Sequence, residues 1–513
     1  MRKWLTGSLV AAMCTAAAAA PAAAHWRKAT SDHFIIYADS SESWLRRFAT
    51  KLEQFDSGFR FLRQMKPLPG EKSNRMTVYV LTNSDRVAQL CGDCGNVAGF
   101  YQPRVGGSVA FTFKRQAGEN GISPQVVLFH EYSHHMLLEN YSVAYPKWFS
   151  EGFAEFYSTA TFDSDGAMNL GKPANHRAYA LFRLSPIPLR TLLAPGSEEM
   201  DDSETESFYG RSWLLTHMLT FDDKRSGQLH EYLTLVSSGT PSLEAAKKAF
   251  GDLDKLEKEL DRYLSHNRMS YFKIAGDKLH VGPIKIVETS EGQDEMMRLR
   301  IRSDRGVNRK QARDIVEDAR AKAADFPNDP AVQTELAEME YDAGNDDAAE
   351  AAADRAIAAD PARRDALLYK ARVEMRRALA ADDHRPETWE KARSWIVKAN
   401  RLDPNAAEPL LYYYRSFVDA GETPSKMARI GLERAFTLSP QDPGLRMLFI
   451  RQLLEDADVK LARKLSMALA YSPHGGNKMA KAIIEAIDAG LPGPKIVQTL
   501  DAASATQQTA SKD

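Results

Sequence analysis

Short runs of alternating apolar residues open the chain: residues 33–37, His-Phe-Ile-Ile-Tyr, and residues 76–81, Met-Thr-Val-Tyr-Val-Leu, both predict strands. Between them an amphipathic period over 44–65 predicts a helix, and residues 109–113 add a third strand to a small sheet. The pattern then turns helical. Ser123-Pro124 is a strong helix start, and Val126, Val127, Leu128, Phe129, Met136, Leu137 and Leu138 can bury the helix that follows, up to a stop at Asn140. A second helix is expected to open at Pro146. Segments 176–193, 209–220, 229–237, 243–250 and 253–264 read as mostly helical and form the second wall of a cleft, while the acidic run from Glu198 to Glu206 reads as a solvated loop. Residues 271–306 carry strand-like pieces at 284–287 and 297–301, which reads as a linker or small docking hairpin.

From about Asn308 the chain becomes alanine-rich and helical, and Pro327, Pro361, Pro404, Pro440 and Pro473 each close a helical run. The segments ending Ala-Asp-Pro361, Leu-Asp-Pro404 and Leu-Ser-Pro440 resemble the end of the second helix of a tetratricopeptide repeat, and the prolines recur near its period of about 34 residues. Gly344 and Gly421 fall where the turn inside each repeat belongs. Residues 307–490 are therefore expected to form an all-α solenoid that holds a peptide or protein partner or braces the rest of the chain. Residues 491–513 are expected to be a disordered tail.

The chemistry is concentrated in two segments. His130-Glu131-Tyr132-Ser133-His134 spells HExxH: histidines four apart share one helix face and can bind one ion, with Glu131 beside it as general base. A third protein ligand is needed, and Glu151, in Trp148-Phe149-Ser150-Glu151-Gly152-Phe153-Ala154-Glu155, is the leading candidate. Two imidazoles and a carboxylate favour a single Zn2+.

Together these motifs resemble the gluzincin class of zinc metallopeptidases, in particular the peptidase MA-like group. The resemblance implies a zincin-like α+β domain over 25–270 with metal ligands His130, His134 and Glu151. It further implies Glu131 as the catalytic base acting on metal-activated water, and Glu155 orienting a ligand histidine. The segment from Phe208 to Leu219 resembles the aminopeptidase-N-like helix that begins with a tyrosine, which makes Tyr209 the catalytic hydrogen-bond donor to the oxyanion. One departure bears on specificity. Residues 98–102, Ala-Gly-Phe-Tyr-Gln, lack the acid that captures a free α-amine in aminopeptidases.

Arg2 and Lys3, an apolar stretch and Ala22-Ala23-Ala24 read as a signal peptide over 1–24, which implies a periplasmic or secreted protein. Met13 before Cys14 is a poor match for lipoprotein processing. No segment reaches the roughly 18 apolar residues of a transmembrane anchor. In an oxidising compartment Cys91 and Cys94 are expected to close a small disulfide loop. The formal charge of −2 gives no reason to expect nucleic acid. The expected protein is thus an exported zinc peptidase cleaving a peptide or protein substrate, followed by a tetratricopeptide solenoid; the alternative is a non-catalytic binding or scaffold protein on a vestigial peptidase domain.

Overall fold

The structure is a computed structural model that describes residues 25–67, 69–92, 99–115, 122–140, 145–194, 200–266, 268–471 and 476–510. The expected signal peptide, Cys94, Glu198 and Glu199 lie outside the described residues. Strands β1 (Trp26–Thr30) and β2 (Phe34–Asp39) pair antiparallel, and α1 (Glu42–Arg63) carries the chain over to β3 (Met76–Asn83), parallel to β2. Helix α2 (Ser84–Cys91) and β4 (Phe100–Gln102) precede β5 (Val109–Arg115), which lies parallel to β3 and antiparallel to β4. Helices α3 (Pro124–Asn140) and α4 (Lys147–Ser158) follow, then β6 (Thr161–Phe162) and β7 (Met168–Leu170). The mostly helical lobe comprises α5 (Ala178–Arg183), α6 (Leu189–Leu193), α7 (Asp202–Phe221), α8 (Gln228–Ser237), α9 (Ser242–Phe250) and α10 (Leu253–Leu264). Strand β8 (Phe272–Ile274) pairs with β7, and β9 (Lys285–Glu288) joins the main sheet, whose order is β4-β5-β3-β2-β1-β9.

Alternation along the central strands gives the sheet two buried faces. Phe34, Ile36, Val78, Val80 and Ala110 pack with Leu45, Leu52 and Phe55 of α1 and with Leu128, Phe129 and Tyr132 of α3. On the opposite face Tyr37, Tyr79, Val109 and Phe111 meet Met297 and Ile301 of α11 (Glu291–Asp304). The expected hairpin over 271–306 is thus replaced by two strands in different sheets and a helix. The alternation Met297-Arg298-Leu299-Arg300-Ile301 looks strand-like because α11 buries two sides at once: Met297 and Ile301 face the sheet, and Met296 and Leu299 face the helices that follow. Its start is fixed by a reciprocal cap in which Ser290 and Gln293 each accept from the other's backbone N–H.

The remaining helices are α12 (Arg309–Ala324), α13 (Pro330–Ala343), α14 (Asp346–Ala359), α15 (Arg364–Ala380), α16 (Pro386–Leu402), α17 (Ala407–Val418), α18 (Lys426–Leu438), α19 (Pro443–Glu455), α20 (Val459–Ala470), α21 (Lys478–Asp488) and α22 (Gly493–Ala510). They pair as successive hairpins, compatible with a tetratricopeptide-like solenoid, and α11 with α12 makes the first pair, so the array begins before residue 307. Small residues set the spacing: Ala349, Ala352, Ala353 and Ala356 of α14 are all fully buried. Asp329 caps α13 with Pro330 at its first turn, and Gly344 ends it at φ 88°, a left-handed turn that a β-carbon would strain. The expected tail from 491 is corrected in part: α22 packs against α19 and α21, burying Ile496 and Val497. Among the described residues no helix is long and apolar enough to cross a membrane.

Candidate metal centre

Helix α3 opens at Pro124, with Ser123 Oγ accepting from the Gln125 N–H at 3.3 Å. Leu128, Phe129, Tyr132, Met136 and Leu137 bury it against the sheet and α1, which leaves His130 and His134 facing α4. Trp148, Phe149 and Phe153 anchor α4 in the same core and place Glu151 opposite the two imidazoles. The donor atoms form a nearly regular triangle. His130 Nε2 and His134 Nε2 lie 3.1 Å apart, and each is 3.4 Å from Glu151 Oε2.

That triangle is a test of fit for a metal. Ligands held at about 2.0–2.1 Å around a tetrahedral ion stand roughly 3.4 Å from one another. Glu151 is only 1% exposed, and a carboxylate buried this deeply needs positive charge beside it. The residues present therefore suit one zinc ion. Burial would push Glu151 up, but His134 and His130 together hold it well below the usual carboxylate range. Burial opposes charge on His130, yet Glu151 and Glu155 outweigh it and lift the imidazole to about 10. Glu131, beside the triangle on α3, behaves oppositely: burial pushes it up against the pull of His130 and His134.

A next layer of side chains holds the triangle. Glu155 Oε1 faces His130 Nδ1 at 3.4 Å, and Ser150 Oγ lies 3.3 Å from His134 Nδ1. Glu155 is itself held by two residues outside both motifs: His176 Nε2 at 2.7 Å and Arg177, whose Nη2 donates to it at 2.7 Å. No spacing marks these residues, because the short turn over Asn175–Arg177 reaches α4 only through tertiary packing. Arg177 also stacks on Tyr209, 4.8 Å from its ring centroid, and donates to Glu206 at 2.7 Å. Tyr209 sits 6.1 Å, ring to ring, from His130. Glu151 and burial both raise its hydroxyl above the ordinary value, which keeps it a proton donor. Tyr209 does not begin its helix but lies two turns inside α7, and Asp202, Glu204 and Glu206 form the first turns of α7 rather than a loop, with Asp201 as the cap. Acidic residues suit that end of a helix dipole.

A second group, His33, Glu53 and Asp56, also brings its donor atoms within 4.8 Å of one another. It lies behind α3, where Tyr132 donates to Asp56 at 2.6 Å and Arg60 Nε donates to both Asp56 oxygens at 2.9 Å. With those partners and His33 2.8 Å from Glu53, this is an ion-paired brace between α1, β2 and α3. Cys91 is disulfide-bonded. Its expected partner Cys94 lies outside the described residues.

No protein-family model matches the chain, and no curated protein matches it. Among solved structures, a thermophilic TPR protein from Thermus thermophilus is 19% identical over 36% of this chain and 92% of its own, with a TM-score of 0.30.

Proposed function

We propose that this protein is an exported zinc-dependent peptidase whose catalytic centre is carried by α3, α4 and α7 and whose helical-hairpin array is a protein-interaction and bracing module. The observation that supports the catalytic reading is the donor triangle of His130, His134 and Glu151 with Glu131 beside it on the same helix. A zinc ion held there would polarise the scissile carbonyl and acidify a water molecule. Glu131, its proton affinity raised by burial, accepts the proton of the attacking water and returns it to the leaving amine. Tyr209 donates a hydrogen bond to the oxygen of the tetrahedral intermediate. Strand β4 is an edge of the main sheet, so an extended substrate backbone can pair with it. Export rests on the basic and alanine-rich character of residues 1–24.

A second reading, a non-catalytic binding or scaffold protein, is favoured by the run of hairpins from α11 to α22, which occupies the chain from Glu291 to Ala510. Metal analysis of the purified mature protein, alongside hydrolysis of an unstructured protein such as reduced casein, separates the two. The peptidase reading expects about one zinc per chain, lost in Glu151→Ala, and proteolysis abolished in Glu131→Gln. A protein that holds no zinc and cleaves nothing would establish the scaffold reading instead.

A further inference from the structure

Between the N-terminal sheet and the inner face of the solenoid lies a cavity of about 650 Å³, within the range of small-ligand sites. Its walls come from both halves: the loop Arg104–Gly107 and the starts of β2, β3 and β5 on one side, and α11, α13, α15 and α17 on the other. The halves are fastened around it. Gln441 Nε2 donates to Ser108 Oγ at 3.2 Å, Ser73 Oγ donates to Asp403 at 2.8 Å, and Gly106 passes so close to Glu408 that a β-carbon would lie 2.8 Å from its carboxylate.

Three buried polar atoms on this one wall have no hydrogen-bond partner: Arg372 Nε, Ser303 Oγ and Glu335 Oε2, the other Glu335 oxygen accepting from Arg300 Nη1 at 2.9 Å. Such orphans are costly inside a protein, and their convergence on one cavity marks a prepared polar surface. Glu335 is only 8% exposed. Arg372 is held by aromatic faces, 4.4 Å from the ring centre of Tyr341 and 4.6 Å from that of Tyr369, which leaves its donors for another group. Charges of both signs line the space. Eight basic and eight acidic side chains line it, a balance that suits neither a polyanion nor a bare cation. Burial pushes Glu335 to about 7 and Glu338 to about 8, so these carboxylates would gain from an incoming ammonium.

From this we propose that the interdomain cavity binds a short zwitterionic peptide, its carboxylate on Arg372 and its ammonium on Glu338 and Glu335. This site is separate from the metal centre and does not rest on the peptidase reading.

The test is titration calorimetry on the full-length mature chain carrying Glu131→Gln, so that the probe is not consumed, with trialanine, N-acetyl-trialanine and trialanine amide as probes. Saturable binding of trialanine is expected, with each capped form at least about tenfold weaker, since each lacks one charge-assisted contact. Adding His130→Ala should leave trialanine binding intact, whereas Arg372→Met or Glu338→Gln should weaken it at least about tenfold. Glu338→Gln preserves shape, so its effect stands even if Arg372→Met fails to fold, and the ligand-free melting temperature checks each variant. Absence of saturable binding, equal binding of all three probes, or binding lost with His130→Ala but kept with Glu338→Gln would overturn the proposal. Because these readouts involve neither zinc nor hydrolysis, failure of the peptidase reading leaves them unchanged.

Discussion

Glu131 and Glu151 are carboxylates of one cleft, yet their neighbours give them different work. Burial raises the proton affinity of Glu131, while His134 and His130 hold Glu151 below the usual carboxylate range; in the proposed mechanism the first is the base and the second a ligand. Glu131→Gln should therefore keep the metal and fold while losing about 10²–10⁴ in turnover, read by metal content and peptide hydrolysis side by side. His130→Ala and Glu151→Ala should each strip the metal; stoichiometric zinc in either purified variant would sink the ligand assignment. A third residue sets a pH dependence. Burial opposes charge on His33, but Glu53 and Glu71, with Asp56, lift it to about 10 against an ordinary value of 6.5. A raised pKa in the folded state means that the stabilisation is complete below pH 6.5 and fades as pH rises through 10. Glu53 is held below its ordinary value of 4.5, so its share is present above that pH and fades as pH falls through the lowered value. His33→Asn should accordingly lower the melting temperature most near pH 6, with the gap closing towards pH 10. A gap that stays constant across that range would refute the account.

Between elements, the closest approach that matters to the site is that of α4 to α7. A β-carbon at Gly152 would lie 2.3 Å from the Ser212 carbonyl oxygen and 2.4 Å from Thr216 Oγ1. The glycine after Glu151 thus lets α4 lie against the helix that carries Tyr209. Gly152→Ala should cost about 1–3 kcal/mol through forced separation and weaken zinc retention by displacing Glu151. Thermal melting and metal content of the variant check both parts; unchanged values in both would mean that the two helices tolerate separation. The same scale explains α11. A helix that buries Met296 and Leu299 on one side and Met297 and Ile301 on another loses the single apolar stripe by which a helix is recognised.

At the scale of the molecule, α11 joins the halves and the loops over 69–75 and 103–108 are clasped by the repeats. Arg434 donates to the Pro69 carbonyl, Asn74 Nδ2 to that of Asn405, and Ser439 Oγ to that of Val105. A chain ending at Gly306 would keep α11 but expose Met296 and Leu299, which pack with Ile315, Val316 and Val332 in the whole protein. It should melt at lower temperature and aggregate, as a brace removed from its load would predict. Light scattering and thermal melting against the full chain decide this; a truncated chain equally stable and monodisperse would show that the solenoid does not brace the sheet.

The sequence alone was enough to mark the HExxH segment, the second acidic helix, most of the helical lobe and the recurrence of the hairpins, because each depends on spacing within a short stretch of chain. His130, His134 and Glu131 are legible as a helix face, and Pro361, Pro404 and Pro440 as the ends of repeats. Tertiary structure decided what depends on contacts across the chain. It set His176 and Arg177 on Glu155, placed Tyr209 in mid-helix, turned a strand-like run into α11 and ordered α22 against α19. Local pattern records which side of an element is buried but not what buries it. Where an element is covered on two sides, or a side chain is held by a partner distant in sequence, only packing of the whole chain fixes the outcome.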